Sequence, residues 1–536
     1  MTDTTVAPNA TAVARVPPRA RGRDLAGRMS PAVIGLLAAA LASIAAGVPS
    51  YWGDEAASVL SAQRSIPSLL GLLAHIDAVH GLYYLFLHGW IGLFGTGEFA
   101  TRAPSAIAIG FAAAGTVVLA ERLVGRRAGI LAGLVFAVLP VVTRYGIEAR
   151  SYAFVMAASV WILVLLLALV RRGERRLLPW AAFVFAFAAG IHLFVYLVLL
   201  WPVQLALVAL LRPGRAIIMR WMAASGVALA LASPFIALCL SQRQQIAFLA
   251  HRRYAEVDSV VAGQWFGGSL WLAVPAWALM LVAVFAGARD PARRRATAII
   301  VAWAAVPTLA LLAGNAWLTP MYNLRYPAFS APAVAMLIAL GLLGIPRMVP
   351  LPRASRWMPA VGLAALVAVA VPGFIAQRTA FAKDGGSDLR QLASTILANA
   401  APGDGIVFDA TTKPSRRPRL ALDLYPSAFA GLDDVALRQS YAQRSRLWDR
   451  VAPVGDLTWL RARATGPTLS AAATAGPADS STAAATSAPP RSAPEHIWVI
   501  ELGRDTTELE QIGAMGYDVR RAIPVHRTTV YELVEE

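Results

Sequence analysis

Long apolar segments, separated by short polar stretches, recur along most of this chain. They fall near 31–49, 103–122, 128–143, 151–170, 178–194, 195–211, 221–240, 269–287, 297–314, 328–346 and 356–375. Each approaches the roughly 20 apolar residues that a helix needs to cross a bilayer. The pattern therefore predicts a polytopic α-helical membrane protein with about eleven transmembrane helices. The run over 178–211 is divided near Phe194, because its length suits two spans.

Arginine clusters between the apolar segments predict the orientation. These clusters are Arg21/Arg23, Arg122/Arg126/Arg127, Arg171/Arg172/Arg175/Arg176, Arg212/Arg215/Arg220, Arg293/Arg294/Arg295 and Arg347/Arg353/Arg356. Basic residues next to membrane spans are enriched on the cytoplasmic side. Alternating crossings through eleven spans place every cluster in the cytoplasm. The N-terminus is then cytoplasmic and the C-terminal part extracytoplasmic.

Polar and weakly apolar stretches divide the chain into domains. Residues 1–28 are polar and rich in Pro and Ala, which is typical of a disordered cytoplasmic tail. Residues 29–376 form the predicted transmembrane domain, whose first outer loop, 50–102, is large. Within that loop, 82–94 is apolar but too short to span the bilayer, so it predicts a helix at the membrane interface.

From residue 377 onward the pattern changes to short strands. The segments 405–409 and 496–502 are apolar enough for buried strands, and 528–535 alternates as a strand does. A helix is predicted over 506–515. Residues 377–536 therefore predict an extracytoplasmic α/β domain, with a flexible insert over 464–494 that is rich in Ala, Ser, Thr and Pro.

Composition supports a membrane protein and excludes some other classes. Of the 536 residues, 57% are hydrophobic and 15% are charged, so the solvent of most of the chain is lipid. The net charge of +17 would suit nucleic acid, but the basic residues are clustered as orientation signals, so no nucleic-acid partner is expected. The single cysteine, Cys239, excludes a disulfide within the chain.

Candidate chemistry gathers on the face predicted to be external. The motif YWGDE places Asp54 and Glu55 directly after the first span, an unfavourable position unless the carboxylates line a wet cavity. Other polar residues on the same face are His80, Tyr84, Arg102, Glu148, Arg150, Arg325 and Tyr326. Taken singly, each has a structural explanation: arginines reach headgroups, Glu148 and Arg150 pair across a turn, and the carboxylates mark where the chain meets water.

Their convergence favours transfer of a sugar from a lipid phosphate. Such a reaction needs a carboxylate to take the proton of the acceptor hydroxyl and cations to stabilise the departing phosphate. Both kinds of side chain occur on this face, although charged side chains are rare near the membrane.

Five motifs in this order resemble those of the GT-C superfamily of integral-membrane glycosyltransferases. They are WGDE after the first span, H-x-L-Y-Y, R-x-P-S-A, Y-x-x-E-A-R-x-Y and R-Y-P-x-x-x-x-P. The chain looks most like the family 39/83 group, which includes protein O-mannosyltransferases and aminoarabinose transferases. The resemblance covers 31–170 well and 320–332 loosely, and it does not extend to the C-terminal domain.

The resemblance implies a polyprenyl-phosphate sugar donor and a catalytic carboxylate in the first outer loop. By resemblance that carboxylate is Asp54, with Glu55 beside it and Glu148 at a second acidic position. Arg102 and Arg325 match arginines of the family, with Arg325 placed to meet the donor phosphate, while Arg150, Tyr326, His80 and Tyr84 are further candidates for substrate binding. The chain has HGLYY where many relatives have H-P-P-L-Y-Y, which puts the role of His80 in question.

The resulting hypothesis is an inverting glycosyltransferase of the plasma membrane. It would move mannose, or another hexose or pentose, from a polyprenyl-phosphate carrier to a glycan, glycolipid or protein acceptor. A transporter or flippase of lipid-linked sugars is the alternative. Ionisable residues in the middle of several spans would favour it, but the middles of the predicted spans are almost free of them, with His192 as the main exception. A noncatalytic scaffold would leave the convergence unexplained. No cofactor is predicted with certainty, and a divalent metal stays open because no ligand spacing is recognisable.

The orientation can be tested by labelling. A cysteine introduced in 464–494 should react with a membrane-impermeant thiol reagent on intact cells, because an odd number of spans places this segment outside. Labelling that occurs only after cell lysis would contradict the predicted topology.

Overall fold

The computed structural model describes residues 20–348, 357–457, 460 and 494–535. The predicted insert over 464–494 lies outside this part except for Pro494, and so do residues 1–19 of the predicted N-terminal tail. The first helix begins at Ala20, within the segment predicted to be a disordered tail.

Nineteen α-helices order the described part of the chain. They are α1 Ala20–Ser43, α2 Gly53–Gln63, α3 Ile66–Leu73, α4 Gly81–Phe94, α5 Glu98–Val124, α6 Arg126–Val138, α7 Pro140–Tyr145, α8 Tyr152–Arg172, α9 Leu177–Leu193, α10 Leu200–Leu211, α11 Arg215–Ser241, α12 Gln264–Phe266, α13 Leu270–Arg289, α14 Pro291–Trp317, α15 Ala331–Met348, α16 Met358–Ala376, α17 Leu389–Asn399, α18 Leu420–Leu424 and α19 Thr507–Gly513. Short 3₁₀ turns fill several connections, and a π-helical turn lies at Ser259–Gly263.

Ten of the eleven predicted spans lie on apolar helices, and the exception is 128–143. In the described part of the chain, seven helices are long and apolar enough to cross a membrane, and three shorter apolar helices lie at Ser30–Ser43, Leu177–Leu193 and Val195–Leu211. The long run over 178–211 breaks at Phe194, as predicted. The run over 128–143 is divided at Pro140, which begins α7 and has no N–H to continue α6. The protein is thus a polytopic helical membrane protein, and the count of eleven spans stays a prediction.

Close packing of α1 against α5 determines the position of the first outer loop. α1 packs against α5 through Gly35 and Gly110, where a Cβ on either glycine would lie 2.8 Å from the carbonyl oxygen of the other. Small residues allow transmembrane helices to approach this closely. As a consequence the C-terminal end of α1 lies beside the first turn of α5, and the chain between them, including α2, is held over these two helix ends.

The C-terminal domain is built on a five-stranded sheet. Its strands are β1 Gly405–Phe408, β2 Asp433–Asp434, β5 His496–Leu502, β6 Tyr517–Pro524 and β7 Thr528–Glu535, in the order β2-β1-β5-β7-β6; β3 Leu437–Gln439 and β4 Arg450–Val451 form a separate pair. β2, β1 and β5 run parallel, whereas β5, β7 and β6 are antiparallel neighbours.

The strands predicted over 405–409, 496–502 and 528–535 are present, and so is the helix predicted over 506–515. The sequence missed β6, because this edge strand exposes most of its residues and lacks the apolar alternation that marks a strand.

One face of the sheet packs on the membrane domain. Trp498, Ile500 and Val530 on that face share a buried apolar cluster with Val59 and Leu60 of α2. Ser415 of the C-terminal domain approaches Gly53 so closely that a Cβ at this position would overlap its carbonyl oxygen. The C-terminal domain therefore lies on the same face of the membrane domain as the first loop, directly against the turn that carries Asp54.

Candidate active site

A cavity of about 550 Å³ lies between the first loop and the C-terminal domain. Residues from eight separate segments line it. Among them are Asp54, Asp77, His80, Arg150, Arg252, Arg325, Tyr326 and Lys413. The cavity thus collects most of the residues that the sequence singled out, together with residues that it did not.

Asp54 lies in the first turn of α2, where the free N–H groups of a helix favour a carboxylate. Its Oδ2 accepts a hydrogen bond from Nη1 of Arg325 and lies 3.6 Å from Nη2 of Arg150. Burial would raise the pKa of Asp54, but these two guanidinium groups outweigh it and hold the pKa below its ordinary value. With 29% of its side chain exposed, Asp54 is an ionised carboxylate that faces the cavity.

Arg150 links Asp54 to Tyr84 and, through Tyr84, to Asp77. Its Nη1 donates to the hydroxyl of Tyr84 at 2.9 Å, and that hydroxyl donates to Asp77. The Nε of Arg150 is buried and has no hydrogen-bond partner in the described part of the chain. Tyr84 therefore orients the arginine from behind the cavity.

His80 lies against the same arginine. Its ring stacks on Phe194 at 6.1 Å between centroids, and its Nδ1 is buried with no partner among the described residues. Burial, followed by the positive charge of Arg150, lowers the pKa of His80 well below its usual range. The imidazole is therefore neutral at physiological pH and suits a hydrogen-bonding role better than that of a cation.

Aromatic side chains surround Arg325. Its guanidinium carbon lies 5.2 Å from the ring centroid of Trp52 and 5.8 Å from that of Tyr152. Such contacts hold a guanidinium by its face and leave its N–H edge available. Next to it, Tyr326 stacks on Tyr196 at 4.8 Å. The sequence placed both Arg325 and Tyr326 at the site, and both line the cavity.

Glu55 and Arg102 form a closed ion pair away from the cavity. Both side chains are 0% exposed, and the two carboxylate oxygens of Glu55 accept from Nε and Nη2 of Arg102 at 2.7 and 2.6 Å. The three remaining N–H groups of Arg102 point to the carbonyl oxygens of Ala46, Pro49 and Ser50. No donor is left for a phosphate. The geometry therefore does not support the predicted substrate-binding role of Arg102 or the predicted catalytic role of Glu55, and it favours a structural role for the pair.

Glu148 is also removed from the cavity. It is buried, and its Oε2 lies 3.7 Å from Nζ of Lys383, whose Nζ donates to the carbonyl of Ile147 at 3.0 Å. Glu148 is not among the residues that line the cavity. Its catalytic role stays a prediction that this geometry does not support, and its contact with Lys383 joins the membrane domain to the segment that follows α16.

Sequence reasoning missed the contributions of the later segments. Arg252 comes from the loop between α11 and α13, and Lys413 and Ser415 come from the C-terminal domain. One signal was available: the chain contains only two lysines, Lys383 and Lys413. Lys383 pairs with Glu148 beside the site and Lys413 lines the cavity.

Comparison with solved structures identifies the fold. No family model matches the sequence, and no curated protein matches it. The crystal structure of ArnT from Cupriavidus metallidurans bound to undecaprenyl phosphate has a TM-score of 0.53 at 14% identity, covering 96% of this chain and 98% of that chain. The apo state of the same protein has a TM-score of 0.55 at 12% identity with the same coverage. The chain thus shares the fold of ArnT over nearly its whole length.

The Arg102–Glu55 pair can be tested as a structural element. Glu55→Gln should lower the free energy of unfolding by about 3–5 kcal/mol, because it leaves the buried guanidinium without its counter-charge. Thermal unfolding in detergent measures this loss, and Glu121→Gln, at a half-buried position near the other end of α5, serves as the matched control. A melting temperature of Glu55→Gln equal to that of the wild type would show that the pair contributes nothing to stability.

Proposed function

We propose that this GT-C-type membrane protein is a glycosyltransferase that moves one sugar from a polyprenyl-phosphate-linked donor to an acceptor hydroxyl. The observation that carries the proposal is Asp54, an ionised carboxylate that faces the cavity beside Arg150 and Arg325. A base next to cations is the combination that transfer from a lipid phosphate requires. The fold shared with ArnT, which was crystallised with undecaprenyl phosphate, supports this class of donor.

The donor phosphate would be bound by Arg325 and Arg150. The Nε and Nη2 of Arg325 and the Nε of Arg150 have no hydrogen-bond partner among the residues described. A guanidinium presents two parallel N–H groups to a phosphate, and these charge-assisted bonds are about twice as strong as neutral ones. Because the free N–H groups lie at the arginines that already contact Asp54, the phosphate would be held next to the base.

Asp54 would act as the general base. Its carboxylate takes the proton of the acceptor hydroxyl while the hydroxyl oxygen forms a bond to the anomeric carbon. The bond between that carbon and the phosphate oxygen breaks, and its electron pair leaves with the polyprenyl phosphate. Attack opposite the leaving group inverts the configuration at the anomeric carbon.

The proposal places this reaction on the outer face of the plasma membrane. The N-terminus is then cytoplasmic, and residues 377–536 form an extracytoplasmic domain above the transmembrane domain of residues 29–376. The acceptor is a glycan, a glycolipid or a protein, and the sugar is a hexose or a pentose. Transfer from labelled polyprenyl-phosphate mannose, and then from other polyprenyl-phosphate sugars, to a panel of these acceptors in reconstituted membranes tests the function directly.

Asp54→Asn should decrease turnover by about 10²–10⁴-fold with little change in donor affinity, because a base acts mainly in the transition state. The amide preserves the shape of the side chain, so folding and membrane insertion should persist. Asp384→Asn is the matched control, since Asp384 also lines the cavity but is paired with Arg416. Full turnover in purified Asp54→Asn would reject the assignment of the base.

Arg325→Ala should weaken saturation by the donor, whereas Arg325→Lys should recover only part of it, because a lysine cannot present two parallel N–H groups. The measurement is the donor concentration that gives half-maximal transfer. Arg416→Ala serves as the control, since that arginine lines the same cavity but donates to Asp384. Wild-type saturation in both Arg325 variants would remove this arginine from the phosphate site.

A further inference from the structure

Three acidic side chains converge at one end of the C-terminal sheet, apart from the cavity. Asp409 follows β1, Glu501 lies in β5 and Glu508 lies in α19. Each brings a carboxylate oxygen to within 4.8 Å of those of the other two. Their exposed fractions are 1%, 0% and 5%. The parallel pairing of β1 with β5 creates this convergence, since the N–H of Asp409 donates to the carbonyl of Ile500 at 2.8 Å.

One oxygen of each carboxylate is satisfied by the surrounding backbone. Asp409 Oδ1 accepts from the N–H of Thr411 at 2.7 Å, Glu501 Oε1 from that of Leu509 at 2.8 Å, and Glu508 Oε1 from that of Ala410 at 2.9 Å. These backbone bonds fix the orientation of all three carboxylates.

The second oxygen of each carboxylate is buried and has no hydrogen-bond partner in the described ranges: Asp409 Oδ2, Glu501 Oε2 and Glu508 Oε2. No lysine or arginine in those ranges forms an ion pair with the three side chains. Arg417, which lies nearby, directs its Nε and Nη2 to the carbonyl oxygens of Thr412 and Ala410 instead. Three orphaned oxygens in one buried cluster need a positive partner, because an uncompensated buried charge is unfavourable.

Two partners could satisfy this cluster. Burial, and then the neighbouring carboxylates, raise the pKa of Glu501 and Glu508, which would allow one proton to be shared between them. A proton between two glutamates still leaves the free oxygen of Asp409 without a partner. A cation can contact all three carboxylates at once, and it therefore accounts for more of the geometry.

We propose that Asp409, Glu501 and Glu508 bind one hard divalent cation of the calcium type. Carboxylate oxygens are the ligands that such ions prefer, and at a Ca–O distance of about 2.4 Å two ligands on opposite sides of the ion lie about 4.8 Å apart. Asp409 is four residues before Lys413, which lines the cavity. A cation here would fix the start of the segment that brings Lys413 and Ser415 to the cavity.

Isothermal titration of the full-length protein in detergent, after treatment with EDTA, tests this site. The wild type should bind one Ca²⁺ per chain and should unfold at a higher temperature when Ca²⁺ is present; a parallel titration with Mg²⁺ compares the smaller ion. Glu501→Gln and Asp409→Asn should each weaken the affinity by about tenfold or more, since a neutral ligand replaces a charged one. Glu510→Gln, an exposed position on the same helix as Glu508, should bind as the wild type does.

One further variant distinguishes binding at this cluster from binding in the cavity. Asp54→Asn changes only the cavity, so it should bind Ca²⁺ as the wild type does. Loss of binding in Asp54→Asn would assign the ion to the cavity and overturn the proposal. It would be overturned equally if the wild type bound neither Ca²⁺ nor Mg²⁺, or if Glu501→Gln bound Ca²⁺ as tightly as the wild type. If neither cluster variant folds, one-to-one binding that Asp54→Asn retains supports the site.

Discussion

The buried pair between Arg102 and Glu55 is the interaction on which the candidate site depends. Arg102, near the start of α5, uses all five of its N–H groups, two on Glu55 and three on carbonyl oxygens of the chain that leaves α1. It thereby ties the end of α1 and the first turn of α2 to α5. Adjacent side chains on a helix diverge by about 100°. Because Glu55 is fixed inward, Asp54 is turned toward the cavity.

Two neighbouring carboxylates therefore have different roles because their environments differ. Glu55 is buried against a guanidinium whose N–H groups are all engaged. Asp54 contacts Arg325 and Arg150, and among the described residues both arginines keep N–H groups without hydrogen-bond partners. In the proposed reaction, the contacts with the two arginines affect the basicity of Asp54. The arginines that keep Asp54 ionised also make it a weaker base. If the donor phosphate takes over part of Arg325, the pKa of Asp54 rises. Donor binding would then prepare the base for the acceptor.

The helices and strands that produce a local apolar pattern could be predicted from the sequence. Hydropathy located the helices and the break at Phe194, and apolar runs located β5 and β7, because burial in lipid or in a sheet core leaves a continuous apolar signature. The pairing of Glu55 with Arg102 was missed, since no local pattern indicates which of several arginines a carboxylate will meet. The cavity wall formed by Lys413 and Ser415 was missed for the same reason: it exists only where the C-terminal domain packs against the first loop.

The C-terminal domain belongs to the candidate site, although its composition separates it from the membrane domain at residue 377. Tyr425 donates to Glu98 at 2.5 Å, Arg390 also pairs with Glu98, and Ser415 lies against Gly53, beside the proposed base. In the proposed reaction, an acceptor would reach Asp54 through the cavity between the first loop and this domain. In the proposed reaction, Arg325 and Arg150 of the membrane domain would hold the donor phosphate. The segment with Lys413 and Ser415 lines the same cavity, so in the proposed reaction it would contribute to selection of the acceptor.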